Sequence, residues 1–227
     1  MYIDIHTHHP LPDRPGTLAV RNILMREARH HAAEPGLWSV GLHPWESESE
    51  SLDISILKNL LTRPGVVAVG ECGLDRLRGA PMRSQTAIFE RLALLAEEFH
   101  KPLFIHCVRA WQEIIGLKAA LNPSVPWMIH GYRGKAAVAR QLIDSGFYLS
   151  FGENLLSMNP VLSGILRDTP DSRLLLETDE GGQPIESIYR VAATIKNVSL
   201  ESLQNQLITN FEQMTGIHGT PRVAATH

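Results

Sequence analysis

The chain has 227 residues, of which 44% are hydrophobic, enough to bury one substantial core, and α/β barrels of this length are commonly single domains. Its formal net charge of −3 argues against a broad basic surface for holding long nucleic acid, although bound ions can still make a local site favourable to phosphate. No segment approaches the roughly 18 apolar residues of a membrane span, no secretory leader is evident, and the two cysteines lack a paired spacing. We therefore expect a cytoplasmic, single-domain protein over residues 1–227, with a flexible tail at about 217–227.

Strand-like and helix-like segments alternate along the chain. Apolar runs predict eight strands, at about residues 1–6, 17–24, 37–42, 66–71, 102–106, 126–130, 147–151 and 173–178. Apolar residues at helical spacing predict helices between and after them, at about 25–33, 52–61, 83–100, 114–121, 134–145, 184–197 and 200–215, and a short helix is expected within 153–168. This order predicts a (β/α)₈ TIM barrel, with an open doubly wound sheet as the alternative.

The first strand carries three polar side chains on one face. Because side chains alternate along a strand, Asp4, His6 and His8 point the same way. Two imidazoles preceded by a carboxylate can converge on one cation. Taken alone, a half-exposed edge strand explains these residues as well as a metal site does.

Residues that bind metal ions also end other predicted strands. The full set is His6, His8, Glu71, His106, His130 and Asp179. A buried core histidine would explain His106 or His130 alone, but the carboxyl ends of barrel strands meet on one face, so all six are expected to converge. Four imidazoles and two carboxylates suit two divalent ions, drawn from Zn, Mn, Mg, Ni and Fe, that share a bridging carboxylate.

Other polar residues near these strand ends have several possible roles. His43 either contacts substrate, orients a ligand or serves the turn before Pro44. Arg109 and Arg133 each follow a predicted ligand by three residues and are candidate phosphate contacts, although arginine is most often a solvated charge. Asp75 is expected to support the ligands from behind, as is Asp4.

Several segments resemble the successive motifs of the TatD-related metal-dependent hydrolases. They are Asp4-Ile5-His6-Thr7-His8, Gly41-Leu42-His43-Pro44, Gly70-Glu71-Cys72-Gly73-Leu74-Asp75, the strands ending at His106 and His130, Leu176-Glu177-Thr178-Asp179 and Asn210-Phe211-Glu212. The resemblance spans nearly the whole chain, and its Gly-Glu-x-Gly-Leu-Asp segment is the most specific part. It implies a TIM barrel of the amidohydrolase superfamily that hydrolyses DNA. It also implies one ion on His6, His8 and Asp179, another on His106 and His130, and Glu71 between them.

The chain departs from that family in its substrate-facing loops. Arg109 is displaced by one residue from the family's usual arginine, His130 is followed by Gly-Tyr-Arg-Gly, and Asp179 is followed by Glu180 and Gly181. The segment between the first and third strands is also short for the family. These departures leave the predicted ligands intact but alter their surroundings.

The leading functional hypothesis is a two-metal phosphodiesterase or deoxyribonuclease. A metal-bridged hydroxide would attack DNA or another phosphodiester, with Glu71 and Asp179 as the catalytic carboxylates. One alternative is hydrolysis of a C–N or C–O bond in a small amide or lactone. The absence of a lysine at the end of the fourth strand argues against this alternative. Another is a non-catalytic metal-binding barrel. No obligate protein partner is evident from the sequence.

Overall fold

The structure, a computed structural model, describes residues 1–9, 16–25, 36–47 and 53–220. The chain divides into two compact units, one made of Met1–Val20 with His130–His227 and the other of Arg21–Ile129. The second strand crosses from the first unit into the second. The prediction of one domain over residues 1–227 stays a prediction.

The described residues contain eight β-strands and seven α-helices. The strands are β1 (Tyr2–Thr7), β2 (Thr17–Leu24), β3 (Leu37–Gly41), β4 (Val66–Asp75), β5 (Leu103–Val108), β6 (Trp127–Ile129), β7 (Tyr148–Phe151) and β8 (Leu174–Leu176). The helices are α1 (Ile54–Leu61), α2 (Met82–Glu98), α3 (Trp111–Leu121), α4 (Ala136–Asp144), α5 (Pro160–Asp168), α6 (Ile185–Lys196) and α7 (Leu200–Thr215). All eight predicted strands are confirmed, and β4 continues past Glu71 to Asp75. The helix predicted at 25–33 lies almost entirely outside the described residues, so it and the shortened segment between the first and third strands stay predictions.

The unit of residues 21–129 is built on four parallel strands, β3, β4, β5 and β6, each paired with the next. Every residue of β4 is buried, as expected for a parallel strand that is covered on both faces. Phe89 of α2 packs edge-on against Trp127 of β6, with ring centroids 5.3 Å apart. Both rings are fully buried, and each contributes about 1.5–3 kcal/mol of hydrophobic stabilisation.

The other unit joins the two ends of the chain. Strands β7 and β8 are parallel, and Thr7 of β1 forms a bridge with Asp179, which follows β8. Tyr189 of α6 is completely buried, and its hydroxyl both accepts from the Ile3 amide and donates to the Ile3 carbonyl, each at 3.0 Å. The bridge between Thr7 and Asp179 and the two hydrogen bonds of the Tyr189 hydroxyl hold β1 beside β8 and α6. The residues at the end of β1 therefore have a defined position.

The helices begin and end at residues suited to those positions. Asp53, Asn159 and Ser199 accept hydrogen bonds from backbone amides in the first turns of α1, α5 and α7. Asn122 and Asn197 end α3 and α6 in the left-handed conformation that asparagine tolerates. No described helix is both long enough and apolar enough to cross a membrane.

The segment after α7 makes one hydrogen bond back to that helix. Residues 217–220 have no regular secondary structure, but Thr220 is buried and its amide donates to Glu212 Oε1 at 3.2 Å. The expectation of a flexible tail from about residue 217 stays a prediction. Residues 221–227 lie outside the described part.

Candidate metal sites

The predicted site residues lie in two groups, one in each unit. His6, His8, His130 and Asp179 belong to the unit formed by the chain ends, and His43, Glu71, Asp75 and His106 to the unit of residues 21–129. We call them the first and the second cluster. Arg109 and Arg133 are exposed, and neither is among the residues of the two clusters.

The first cluster is assembled at the ends of β1 and β8. His6 Nε2 lies 3.7 Å and His8 Nε2 3.5 Å from Asp179 Oδ1, and the rings of His6 and His130 have centroids 4.5 Å apart. One ligand atom each from His6, His130 and Asp179 lies within 4.8 Å of the other two. Ligand atoms around one tetrahedral Zn²⁺ are about 3.4 Å apart, so a small contraction of this group would surround an ion.

The backbone places Asp179 by an uncommon conformation. Its φ of 54° lies in the left-handed region, which residues with a β-carbon seldom adopt. Asp179 N donates to His6 O at 2.9 Å, and His8 N donates to Asp179 O at 3.0 Å. These two backbone hydrogen bonds hold Asp179 beside the segment that carries His6 and His8.

Asp4 supports the first cluster through the residue before Asp179. Its carboxylate accepts hydrogen bonds from Thr178 N at 2.9 Å and Thr178 Oγ1 at 2.7 Å. Burial raises the pKa of Asp4 to about 7, although the hydrogen bonds from Thr178 favour the carboxylate. The supporting role of Asp4 behind the histidines stays a prediction.

Glu177 also contacts the first cluster, although the sequence analysis assigned it no role. Its side chain has 0% exposure, and Oε1 lies 3.4 Å from His130 Nδ1. A carboxylate behind a histidine is the usual way to orient an imidazole for a metal. The signal for it is present in the sequence, because Glu177 lies two residues before Asp179 and shares its face by strand alternation.

The second cluster centres on the buried carboxylate of Glu71. Oε1 of Glu71 lies 3.0 Å from His106 Nδ1 and 3.2 Å from His43 Nε2. The two imidazole rings have centroids 4.5 Å apart, and ligand atoms of all three residues lie within 4.8 Å of one another. This group also has the size and the donor types of a divalent metal site.

Hydrogen bonding around His43 indicates what that residue does. The amide of Trp45 donates to His43 Nδ1 at 3.1 Å. In a neutral imidazole the proton then lies on Nε2, which is 3.2 Å from Glu71 Oε1. Of the roles considered for His43, the geometry favours orienting Glu71.

Glu71 is positioned by a β-bulge in β4 and by a hydrogen bond from its own backbone amide to Asn22. Between Val69 and Cys72, β4 contains one more residue than the paired segment of β5, which turns the Glu71 side chain out of simple alternation. Its amide donates to Asn22 Oδ1 at 2.7 Å, and the same oxygen accepts from Ser39 Oγ at 3.0 Å. The contact of Asn22 with Glu71 could not be predicted, because the strand of Asn22 carries no motif that relates it to Glu71.

Asp75 lies on the other side of His106. Its Oδ2 is 3.4 Å from His106 Nε2 and accepts from the Trp45 indole N–H at 2.6 Å, while Oδ1 accepts from Leu77 N at 2.7 Å. Burial opposes ionisation, but the hydrogen bonds from Trp45, Leu77 and His106 outweigh it, so the pKa of Asp75 is below its usual range. His106 is therefore flanked by two carboxylates.

The remaining candidates lie outside the clusters. Arg133 lines a surface cavity of ≈ 310 Å³ together with Asn154 and Asn159. Cys72 and Cys107 are buried free thiols, and burial raises the pKa of Cys107 to about 12. Phosphate contacts by Arg109 and Arg133 stay predictions.

A family model described as TatD related DNase matches residues 22–216. Members of this family are expected to alternate strands and helices and to carry clusters of imidazoles and carboxylates at the strand ends. The chain belongs to the TatD related DNase family.

Curated relatives match a shorter part of this chain. "Uncharacterized metal-dependent hydrolase YabD" of Bacillus subtilis is 32% identical over 145 residues, which cover 62% of this chain and 57% of that protein. "3'-5' ssDNA/RNA exonuclease TatD" of Klebsiella pneumoniae is 31% identical over 164 residues, covering 68% and 60% respectively. The matched part of this chain thus spans less than two thirds of the length of these relatives.

Solved structures show the fold. The TatD homologue YjjV of Escherichia coli has a TM-score of 0.82 at 19% identity and covers 96% of this chain and 98% of its own. A TatD family hydrolase from Entamoeba histolytica has a TM-score of 0.73 at 18% identity and covers 94% and 97%. This likeness confirms the predicted (β/α)₈ TIM barrel class.

Proposed function

We propose that this chain is a metal-dependent hydrolase that cleaves phosphodiester bonds of nucleic acid with two divalent ions. The observation that carries the proposal is the pair of clusters, each with imidazole and carboxylate ligand atoms within 4.8 Å of one another, in a chain of a DNase family. Relatives named 3'-5' ssDNA/RNA exonuclease support nucleic acid as the substrate class.

The donor set suits the proposed ions. Neutral imidazoles and carboxylates bind Zn, Mn, Mg, Ni or Fe in preference to soft Cu(I). We assign His6, His8, His130 and Asp179 to one ion, and Glu71 and His106 to the other. This differs from the family-based expectation for His130, because its ligand atom lies near those of His6 and Asp179. The bridging position of Glu71 between the ions stays a prediction from the family resemblance.

Divalent ions, when bound, lower the pKa of water and stabilise negative charge on phosphate oxygens. The side chains of this protein would supply the proton transfer and the orientation. Asp179 is half-buried and lies beside His8, so its carboxylate is placed to accept a proton from an attacking water molecule. His43 Nε2 lies 3.2 Å from the Glu71 carboxylate, and we propose that His43 keeps this carboxylate turned towards His106.

Removing one residue from each cluster tests the proposal. We expect His106→Ala and Asp179→Asn each to lower turnover of single-stranded DNA by at least about 100-fold, the usual contribution of a positioned acid or base. The assay uses chelator-stripped protein reloaded with Mg²⁺, Mn²⁺ or Zn²⁺ and oligonucleotides labelled at either end.

Two exposed residues of the same types provide matched controls. His100→Ala at the end of α2 and Asp168→Asn at the end of α5 should retain full turnover, since both side chains are exposed. Wild-type turnover in both cluster variants would overturn the assignment. Hydrolysis of lactones or amides, with phosphodiesters left intact, would overturn the substrate class.

A further inference from the structure

Trp45 presents an exposed aromatic ring beside the second cluster. The indole follows His43 in the 3₁₀ turn Pro44–Glu46, and 44% of the residue is exposed. Its ring centroid lies 4.7 Å from that of His43 and 5.6 Å from that of His106. A large apolar ring is thus accessible to solvent within one side-chain length of two cluster residues.

The ring is held in one orientation. The indole N–H donates to Asp75 Oδ2 at 2.6 Å, and the Trp45 amide donates to His43 Nδ1 at 3.1 Å. An aromatic side chain anchored at its polar edge loses little conformational entropy when a planar ligand stacks on it. The anchored ring is therefore a preorganised surface on which a planar ligand can stack.

A cation lies over the same ring. The guanidinium carbon of Arg78 is 4.5 Å from the Trp45 ring centroid, and Arg78 itself is exposed. A flexible side chain over the ring shows that a face of the indole can be reached from solvent. Arg78 can also move to a phosphate while a base occupies the face, or stack with the base and the ring.

The chemistry of this surface selects one kind of ligand. An aromatic plane beside a guanidinium is the arrangement by which proteins bind single-stranded nucleic acid without reading its sequence. The chain's net charge of −3 argues against holding a long backbone, which favours recognition of a few nucleotides. Leu77, 60% exposed, adds apolar surface next to Arg78 in the chain.

We propose that Trp45 is the stacking platform for a nucleobase next to the scissile phosphodiester, with Arg78 binding an adjoining phosphate. The inference rests on the proposed function, because it assigns a substrate contact to the same site. It makes Trp45 a determinant of substrate recognition, and it requires a single-stranded end whose bases are free to stack. All the residues that carry it lie in the unit of residues 21–129.

Two substitutions separate stacking from the hydrogen bond to Asp75. Trp45→Phe and Trp45→Leu both remove the indole N–H, but only phenylalanine keeps an aromatic face. We expect Trp45→Leu to weaken binding of a fluorescein-labelled oligothymidine by about 5- to 150-fold, the range for loss of one stacked base. Trp45→Phe should remain within about threefold of the wild type, since most of the stacking surface is retained. Fluorescence anisotropy in the presence of a chelator measures binding without turnover.

An oligonucleotide lacking bases at its two 3′-terminal positions completes the test. We expect base removal to weaken binding to the wild type, and to leave binding to Trp45→Leu unchanged, because the stacking partner is already absent. Equal binding by Trp45→Leu and wild type, or equal losses from base removal in both, would overturn the inference.

The two proposals fail in different ways. A metal-loaded wild type that cleaves DNA with and without the terminal bases at equal kcat/KM would overturn the stacking role and leave the phosphodiesterase intact. A wild type that cleaves no phosphodiester with any metal would overturn the proposed function and this inference together. Thermal melting of Trp45→Phe and Trp45→Leu checks that both variants are folded.

Discussion

Two glycines set the distance between β4 and β5 beside the second cluster. Gly70 and Gly73 have φ values of 149° and 154°, where only glycine is unstrained. A β-carbon on Gly70 would lie 2.6 Å from the carbonyl oxygen of Phe104, and one on Gly73 would lie 1.8 Å from that of His106. The segment Gly-Glu-x-Gly is therefore a packing requirement as well as a sequence motif, since Glu71 and His106 meet through this close approach.

Gly73→Ala tests that requirement. The added methyl group would displace the His106 backbone, so we expect a loss of at least about 2 kcal/mol in the free energy of unfolding, measured in urea. Gly116→Ala is the control, because its β-carbon would meet nothing within 4 Å inside α3. That change should stabilise the protein by about 0.5–1 kcal/mol. Equal stabilities of Gly73→Ala and wild type would contradict the packing argument.

The end of α2 is joined to the segment before β6 by one carboxylate. Glu97 accepts hydrogen bonds from Val125 N at 2.9 Å and from Ser124 Oγ at 2.7 Å. Partial burial opposes ionisation of Glu97, but these two hydrogen bonds outweigh it and lower its pKa. Because the pKa is lowered in the folded state, this contact stabilises the fold above the ordinary value of 4.5 and the stabilisation is lost as the pH falls below it.

Glu97→Gln should therefore lower the free energy of unfolding at neutral pH and have little effect on it in acid. We expect a loss of about 1 kcal/mol in the free energy of unfolding at pH 7, because a charged acceptor becomes a neutral one, and a much smaller difference near pH 3. The neighbouring Glu98→Gln is the matched control, since its ion pair with Lys58 is exposed and worth little. A difference between Glu97→Gln and wild type that did not shrink in acid would show that the carboxylate charge is not the cause.

At the scale of the whole molecule, the two clusters predict two metal equivalents and a metal-dependent stability. An ion that binds only the folded chain stabilises it by mass action, by about 2.7 kcal/mol for each site at 100 times its Kd. The chain also has a buried hydrophobic core, which includes Phe89, Trp127 and Tyr189 and stabilises the fold in addition to any bound ion. We expect the ions to raise the stability of a protein that is already folded.

Metal analysis and calorimetry test this expectation. Wild type reloaded and dialysed should contain two ions per chain and melt at a higher temperature than the chelated protein. Asp179→Asn and Glu71→Gln should each lower the metal content and reduce the shift in Tm, whereas Asp168→Asn should do neither. A wild type that retains one ion, or none, under conditions that support turnover would contradict the assignment of an ion to each cluster.

Much of the fold followed from the sequence because its signals are local. Runs of apolar residues such as those of β4 and helical spacing such as that of α7 report which segments are buried, whatever their neighbours are. The positions of His106 and Asp179 at the ends of predicted strands likewise made both candidates for the carboxyl-end face of a barrel. The sequence thus determined the eight strands, the fold class and the metal-binding residue types.

Only the tertiary structure decided which side chains meet. Alternation along a strand says which face a residue occupies, but not its distance from residues on other strands, so the contacts of Glu71 with Asn22 and His43 could not be derived. The bulge at Glu71 breaks the alternation itself. The anchoring of Trp45 by Asp75 was equally hidden, because a hydrogen bond between residues thirty positions apart depends on the folded path of the chain. Sequence determined the chemical groups of this protein, and the through-space distances that pair them were set by the fold.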